Sequence, residues 1–261
     1  MIDIGTTKLY HEVRGSGPTM LLISGSVGDA DDWLGVAPAL AEAFTVVTYD
    51  RRGFSRSPGP QGWSSSSVSE QAEDAAALLR TLGLAPAVVV GSSAGGSIVC
   101  DLVTHHPELV RHAVIHEPPL LAVVPDGQEI IACYRAAALE AMAEGGPRLA
   151  MEGFMRANAG DEVFDSIDRE VRERMLDNGA VLFSIELPWV TTFVPDPDRM
   201  RASGVPLTVV VGEDNRDTWF GAGASWLADQ AGATLVEQPG GHVGFDSHPK
   251  EFVELIHRLV G

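Results

Sequence analysis

Val88-Val89-Val90-Gly91-Ser92-Ser93-Ala94-Gly95-Gly96 is a run of β-branched residues that ends on a serine, Ser93, with glycines two positions before and two positions after it. The valines suit a strand buried on both faces. The glycines let the chain reverse sharply from that strand into a helix where a Cβ would clash. Such a turn exposes the Ser93 hydroxyl and sets it beside the N–H groups and positive end of the following helix, where developing negative charge is stabilised. A serine that merely caps a helix would satisfy the pentapeptide alone. The strand pattern before it, the helix pattern after it and the partners downstream favour a nucleophile.

Working outward, the same alternation extends along the chain. Leu9-Tyr10-His11-Glu12-Val13 alternates and Gly15-Ser16-Gly17-Pro18 turns, which predicts an opening hairpin. Thr19-Met20-Leu21-Leu22-Ile23 is a continuous apolar run that stops at Ser24-Gly25-Ser26. Trp33, Val36 and Leu40 recur at helical intervals over 32–43, and 44–49 reads as a strand. A helix follows at 68–82, behind the serines at 64–67, then a strand at 87–90, a helix at 94–105 and a strand at 109–115. After a break the pattern resumes with a strand at 207–211, a helix at 218–231, a strand at 234–237 and a helix at 249–260. Strands alternating with helices predict an α/β fold, a mainly parallel doubly wound sheet covered on both faces. Between these halves 128–192 shows helical patterns only, broken at Gly145-Gly146-Pro147 and Asn178-Gly179. The expected organisation is a core of residues 1–119 and 200–261 with a helical cap inserted at 120–199.

The 261 residues are 45% hydrophobic and 21% charged, which is globular composition. Thirty-six acidic against 18 basic residues give a net charge of -18, which repels nucleic acid and anionic membrane surfaces. The expected partner is a neutral or weakly charged small-molecule substrate. Cys100 and Cys133 do not make a disulfide framework, and the first eight residues lack a basic-then-apolar leader, so a reducing, cytoplasmic location is expected. No metal motif or nucleotide fingerprint is present, and no cofactor or metal is expected.

A serine hydroxyl is a weak nucleophile until a base takes its proton. Of eight histidines, His242 stands apart in Pro239-Gly240-Gly241-His242-Val243-Gly244-Phe245, a loop directly after the last strand. His105, His106, His112, His248 and His257 fall in or beside helices, and His11 lies in the opening hairpin. His116 ends a core strand, but Glu117 beside it has the stronger claim on that position.

With these residues in hand, the chain resembles the α/β-hydrolase superfamily, especially its cofactor-free esterase, lactonase and perhydrolase-like members. The resemblance rests on Leu21-Leu22-Ile23-Ser24-Gly25-Ser26, Tyr49-Asp50-Arg51-Arg52-Gly53-Phe54-Ser55-Arg56-Ser57, the Ser93 turn and the His242 loop. It implies an oxyanion hole made of the backbone N–H groups of Ser26 and Ala94. Ser24 departs from the pattern, since many relatives carry histidine there. The turn at 50–57 is expected to be structural. In most relatives the triad acid lies three residues past Gly212, which here is Asn215, an uncharged residue. Asp214 is one position earlier and Asp217 nearby. Glu117 is the alternative, at the end of the strand after the nucleophile helix and fixed by Pro118-Pro119; some members, including haloalkane dehalogenases, place their acid there. Glu117 is preferred and Asp214 competes with it.

The implied chemistry is hydrolysis of an ester, thioester or lactone through an acyl-enzyme. Epoxide hydrolases and haloalkane dehalogenases use an aspartate nucleophile, so Ser93 argues against both. Two other readings stand beside it, a ligand-binding protein that keeps the fold without turnover and a cofactor-free perhydrolase or haloperoxidase-like activity. In the cap, Phe154, Met155, Phe183, Trp189 and Phe193 are candidates for pocket lining or for ordinary core.

Overall fold

The computed structural model describes all residues, 1–261. Strands β1 (Ile2–Asp3) and β2 (Lys8–Leu9) form a short antiparallel ribbon. The main sheet contains β3 (His11–Arg14), β4 (Thr19–Ile23), β5 (Thr45–Tyr49), β6 (Ala87–Ser92), β7 (Val110–His116), β8 (Leu207–Gly212) and β9 (Thr234–Gln238). Their spatial order is β3-β5-β4-β6-β7-β8-β9, and only β3 is antiparallel to its neighbour. Helices α1 (Ala37–Leu40), α2 (Val68–Leu82) and α3 (Ala94–His105) connect the first strands. Between β7 and β8 lie α4 (Gly127–Ala159), α5 (Asp161–Ser166), α6 (Arg169–Asp177), α7 (Gly179–Val181), a π-helical turn (Leu182–Glu186) and α8 (Leu187–Val190). Helix α9 (Pro197–Ala202) leads into β8, α10 (Trp219–Ala231) joins β8 to β9, and α11 (Gly244–Ser247) and α12 (Pro249–Val260) finish the chain.

Adjacent valines of β6 face opposite sides, as strand geometry requires. Val89 packs into a cluster with Leu21, Val47, Ile98, Ile115 and Leu227, whereas Val88 and Val90 join Leu22, Trp33, Phe245 and Phe252 on the other face. Both faces of the sheet are therefore dry, which explains the unbroken apolar runs of its central strands. Helix α2 is bounded as its sequence indicates. The Ser67 side chain accepts from Glu70 N–H at 3.1 Å, and Gly83 ends it in the left-handed region at φ 68°.

Two local expectations are corrected. The segments before and after the Gly15-Ser16-Gly17-Pro18 turn do not pair as a hairpin, because β5 lies between β3 and β4. The turn packs so tightly under the end of α1 that a Cβ on Gly15 would lie 2.1 Å from Ala41 O, and Thr45 N–H donates to Pro18 O at 3.0 Å. The helix expected over 32–43 is a 3-10 turn (Ala30–Trp33) followed by the single turn α1. Carboxylates pin the earlier piece: Asp29 accepts from Asp31 N–H at 2.8 Å and Asp50 from Ala30 N–H at 2.7 Å. Trp33, Val36 and Leu40 are nonetheless all buried, as their spacing requires.

Helix α4 is two arms meeting at Gly146, whose φ of 79° precedes Pro147. Met151, Met155, Phe164, Met175 and Leu182 form a small apolar cluster within these inserted helices. Polar links fasten the inserted helices to the sheet domain. Asn178 accepts from Ser55 N–H at 2.7 Å and donates to Val27 O at 2.7 Å. Arg174 pairs with Asp29 and Asp31. Arg51 and Glu186, both beyond the reach of water, form an ion pair at 2.6 Å. No helix is long and apolar enough to cross a membrane.

His116, at the end of β7, is fully buried and bridges three strands. The Gln238 amide donates to its Nε2 at 3.0 Å, which leaves the ring proton on Nδ1, 2.9 Å from Ser92 Oγ. Burial pushes its pKa down to about 4.

Removing Glu186 would leave Arg51 buried and uncompensated, so Glu186→Ala is expected to cost about 3–5 kcal/mol in urea denaturation. A loss under about 1 kcal/mol, the range of exposed pairs, would mean that water screens this ion pair. For His116, an unfolded histidine protonates near 6.5. Between about 6.5 and 4 the unfolded chain thus binds a proton that the native state refuses, and stability falls as pH falls. The stability deficit of His116→Gln should shrink by up to about 3 kcal/mol from pH 7 to 4. A deficit independent of pH would show that His116 ionises alike in both states.

Candidate active site

Ser93 sits between β6 and α3 with φ 56° and ψ -124°, a conformation costly for a residue bearing a Cβ. Its glycine neighbours are required by contact. A Cβ on Gly91 would lie 2.3 Å from Gly95 O, and one on Gly95 would lie 2.2 Å from Ile23 O. Gly25 is under the same restriction, since its Cβ would approach Ser93 Cβ to 2.9 Å. Ser93 N–H donates to His116 O at 2.9 Å, tying the turn to the end of β7.

Glu117 follows immediately and is completely buried, at φ 40°. Its Oε2 lies 2.6 Å from His242 Nδ1. Oε1 accepts from Gly212 N–H at 2.8 Å, and the Asn215 amide donates to both oxygens at 3.0 and 2.8 Å. Burial alone would raise this carboxyl's pKa, but the hydrogen bond from His242, the neighbouring imidazoles of His116 and His242 and the Gly212 N–H outweigh it and hold it below its ordinary value. Glu117 is therefore an anion at neutral pH. Asp214, the competing candidate, lies on the 3-10 turn (Glu213–Asn215), exposed and without a hydrogen bond to His242. Asp217 is exposed as well.

The His242 ring has two aromatic neighbours. Phe220 stacks on one side with centroids 4.1 Å apart and planes 25° apart, and His116 lies 6.0 Å away. Ser93 and His242 line one cavity of about 60 Å³ together with Gly25, Ser26 and Asn158. The Ser93 hydroxyl makes no hydrogen bond to His242 in this resting arrangement, a bond that commonly tightens only with substrate bound.

Ser26, just beyond β4, lines both cavities that Ser93 lines, and Ala94 directly follows Ser93. Ala94 is the first residue of its helix, where N–H groups have no intrahelical acceptor. The Ser26 loop is held from behind by Arg51, which donates to Gly25 O at 2.8 Å. The turn at 50–57 is thus a brace for this loop: Arg56 pairs with Asp50 and Asp29, and Arg52 with Asp74. Ser24 donates instead to Asp32 Oδ2 at 2.8 Å, and burial pushes the Asp32 carboxyl up to about 7. No group of three or more His, Cys, Asp or Glu side chains is arranged to hold a metal ion.

On the far side, Ser93 and Ser26 open onto a second cavity of about 50 Å³ walled by Leu121, Tyr134, Phe154, Leu187, Trp219 and Phe220. Of the cap residues singled out by sequence, Phe154 and Met155 face Ser93, whereas Trp189 and Phe193 pack against the large core cluster. Sequence reading missed Phe220 and the bridging role of His116. Asn215 was noticed only as an uncharged residue where an acid was expected; that amide at that offset was the available signal.

A family model described as alpha/beta hydrolase fold matches residues 18–140. The chain is 32% identical to the uncharacterized hydrolase YraK of Bacillus subtilis over 99% of this chain and 94% of that protein. It is 26% identical to the zearalenone hydrolase of Bionectria ochroleuca over 95% and 91%. Among solved structures, the enol-lactonase from Burkholderia xenovorans LB400 matches with a TM-score of 0.78 at 19% identity, over 98% of this chain and 97% of that one. The chain belongs to the alpha/beta hydrolase fold family and is a hydrolase.

Proposed function

We propose that this hydrolase cleaves an ester, thioester or lactone of a small, largely apolar substrate, with Ser93 as nucleophile, His242 as base and Glu117 as the acid that orients it. The observation that carries this reading is the 2.6 Å contact of a fully buried, ionised Glu117 with His242, which lines the same cavity as Ser93. The His242 Nδ1 proton points at Glu117, which leaves Nε2 free to accept a proton.

As Ser93 Oγ bonds to the carbonyl carbon, its proton passes to His242 Nε2 and the carbonyl oxygen becomes an oxyanion. The N–H groups of Ser26 and Ala94 stabilise that charge. Collapse breaks the bond to the leaving alcohol or thiol, which takes the proton from Nε2 and leaves an acyl-Ser93 ester. Water then repeats the sequence, delivering a proton to Nε2 and releasing the acid as Ser93 recovers its proton. Throughout, Glu117 stabilises the imidazolium without itself becoming protonated. The similarity to a zearalenone hydrolase supports a hydrolysable apolar substrate, as do the apolar walls beside Ser93.

Ser93→Ala should lower hydrolysis of 4-nitrophenyl butyrate by at least about 10³-fold with the melting temperature unchanged. Equal rates in wild type and variant would favour a binding protein without turnover. Glu117→Gln should cost about 10³- to 10⁴-fold in kcat, whereas Asp214→Asn should stay within about twofold of wild type, the range of an uninvolved surface group. The opposite ranking would move the acid to Asp214.

A further inference from the structure

Gly25 and Ser26 share a peptide unit whose two polar ends have opposite fates. At the carbonyl end, Gly25 O accepts from the Arg51 guanidinium at 2.8 Å and from Gly28 N–H at 3.0 Å. At the other end Ser26 N–H has no acceptor within the chain, although Ser26 is buried. An unpaired buried N–H is costly and rare. This one stands beside Ser93: a Cβ on Gly25 would lie 2.9 Å from Ser93 Cβ, and Ser26 lines both cavities that Ser93 lines. The C=O and N–H of a trans peptide lie in one plane and point in opposite directions. The group that grips Gly25 O therefore sets the direction of Ser26 N–H.

Arg51 is itself held from the inserted helices. Its guanidinium forms an ion pair at 2.6 Å with Glu186 of the π-helical turn, the only ion pair that either residue makes, and lies 4.4 Å from the centre of the Phe54 ring. Both charged side chains are shut off from water. Fold stability is a poor reason for such a pair, because apolar side chains of similar volume often stabilise as well or better. A cation bonded to an amide oxygen does more than hold it. It draws electron density from the amide nitrogen, and the N–H opposite becomes a stronger donor.

Resting on the serine-hydrolase reading, we propose that Arg51 is a positioning residue for the reaction: it aims and polarises the Gly25-Ser26 peptide whose N–H receives the oxyanion, and Glu186 holds Arg51 in place for that task. The inserted helices thereby contribute to the chemical step through a buried charge relayed across one peptide bond. Loss of the relay weakens an interaction made in the tetrahedral intermediate, so it lowers kcat and leaves ground-state binding alone.

The test uses two variants with 4-nitrophenyl butyrate. Arg51→Met/Glu186→Met removes both charges and leaves neither buried alone, and Arg51→Lys keeps a cation for Glu186 without the planar fork that also reaches Gly25 O. Thermal melts establish that each is folded. Removing an oxyanion donor outright costs about 10²- to 10³-fold in kcat, so misdirecting one should cost at least about tenfold in the double variant and about fivefold in Arg51→Lys, with KM within about twofold. The acid limb of the kcat/KM profile, set by His242, should not move. Inhibition by 1,1,1-trifluoropentan-2-one supplies a second readout. Ser93 Oγ adds to its carbonyl carbon, the serine proton passes to His242, and the product is a hemiketal oxyanion. Its inhibition should weaken at least about tenfold in the double variant, while inhibition by pentan-2-one stays within about twofold.

A folded variant with kcat within about twofold of wild type overturns the proposal, and Arg51→Lys decides if the double variant does not fold. A shifted acid limb, or equal weakening of both ketones, also overturns it, by placing the effect at His242 or in ground-state binding. Hydrolysis that proceeds equally well in Ser93→Ala sinks the serine-hydrolase reading and this role with it. Hydrolysis that requires Ser93 but ignores Arg51 and Glu186 keeps that reading and sinks the relay alone.

Discussion

The close approach of three backbone segments around Ser93 governs where everything else in the site can lie. Gly91, Gly95 and Gly25 are each within van der Waals exclusion distance of a neighbouring strand, turn or side chain, so none can bear a Cβ where it stands. This contact forces β6 to end at Ser92 and α3 to begin at Ala94, leaving Ser93 to absorb the reversal. The hydrogen bond from Ser93 N–H to His116 O then fixes the end of β7 beside the turn, and Glu117 N–H extends the tie to Val210 O of β8 at 3.0 Å. A strand-by-strand chain of backbone bonds thus sets the positions of Ser93 and the buried Glu117 carboxylate relative to each other. The His242 loop, arriving after β9, has to meet only one fixed point.

Three non-glycine residues have positive φ: Ser55, Ser93 and Glu117. Each such conformation costs on the order of 1–3 kcal/mol and persists only where its surroundings over-determine it. Ser93 is trapped by the glycine contacts and Glu117 by its four hydrogen-bonded contacts. Ser55 is held by Asn178, whose side chain comes from the inserted helices. The link matters beyond the turn itself. Ser55 belongs to the brace whose Arg51 holds Gly25 O, so the same segment that anchors the inserted helices also steadies the loop carrying Ser26. A buried carboxylate would normally be driven towards its neutral form. At Glu117 the donors offset that cost, and Asn215 supplies two of the contacts from the position where a charge was expected by resemblance.

The sheet and the strained turn at Ser93 were legible because they depend on local signals. Unbroken apolar runs such as Thr19-Met20-Leu21-Leu22-Ile23 report burial on both faces, and paired glycines report a close turn. The hairpin misreading shows the limit of such signals. Alternation and a Gly-Pro turn identify a strand and a reversal, but nothing local states that β5, some thirty residues later, will insert between the two strands. Glu117 was legible as a candidate because it ends a strand, yet the choice between it and Asp214 depends on which way a 3-10 turn points its side chains. Phe220 stacking on His242 and His116 bridging Ser92 to Gln238 are contacts between distant segments, and no spacing in the sequence announces them.

The inserted helices are unevenly attached, and the unevenness follows from residue chemistry. Helix α6, the residue that joins it to α7 and the π-helical turn carry Arg174, Asn178 and Glu186 in turn, whose polar partners on the sheet domain are directional and largely hidden from water. The first arm of α4 has a single buried side chain, Ile131, and offers mostly alanines to its neighbour. Contacts of small apolar groups are non-directional and weak individually, so one arm can shift against the other at low cost, while the charged anchors permit few arrangements. Gly146, with φ 79°, gives the join between the arms a backbone unlike either helix. The structure therefore separates two demands on the same insertion. Its anchored half preserves the geometry of the Ser26 loop, and its lightly packed half adjoins the apolar space that leads to Ser93.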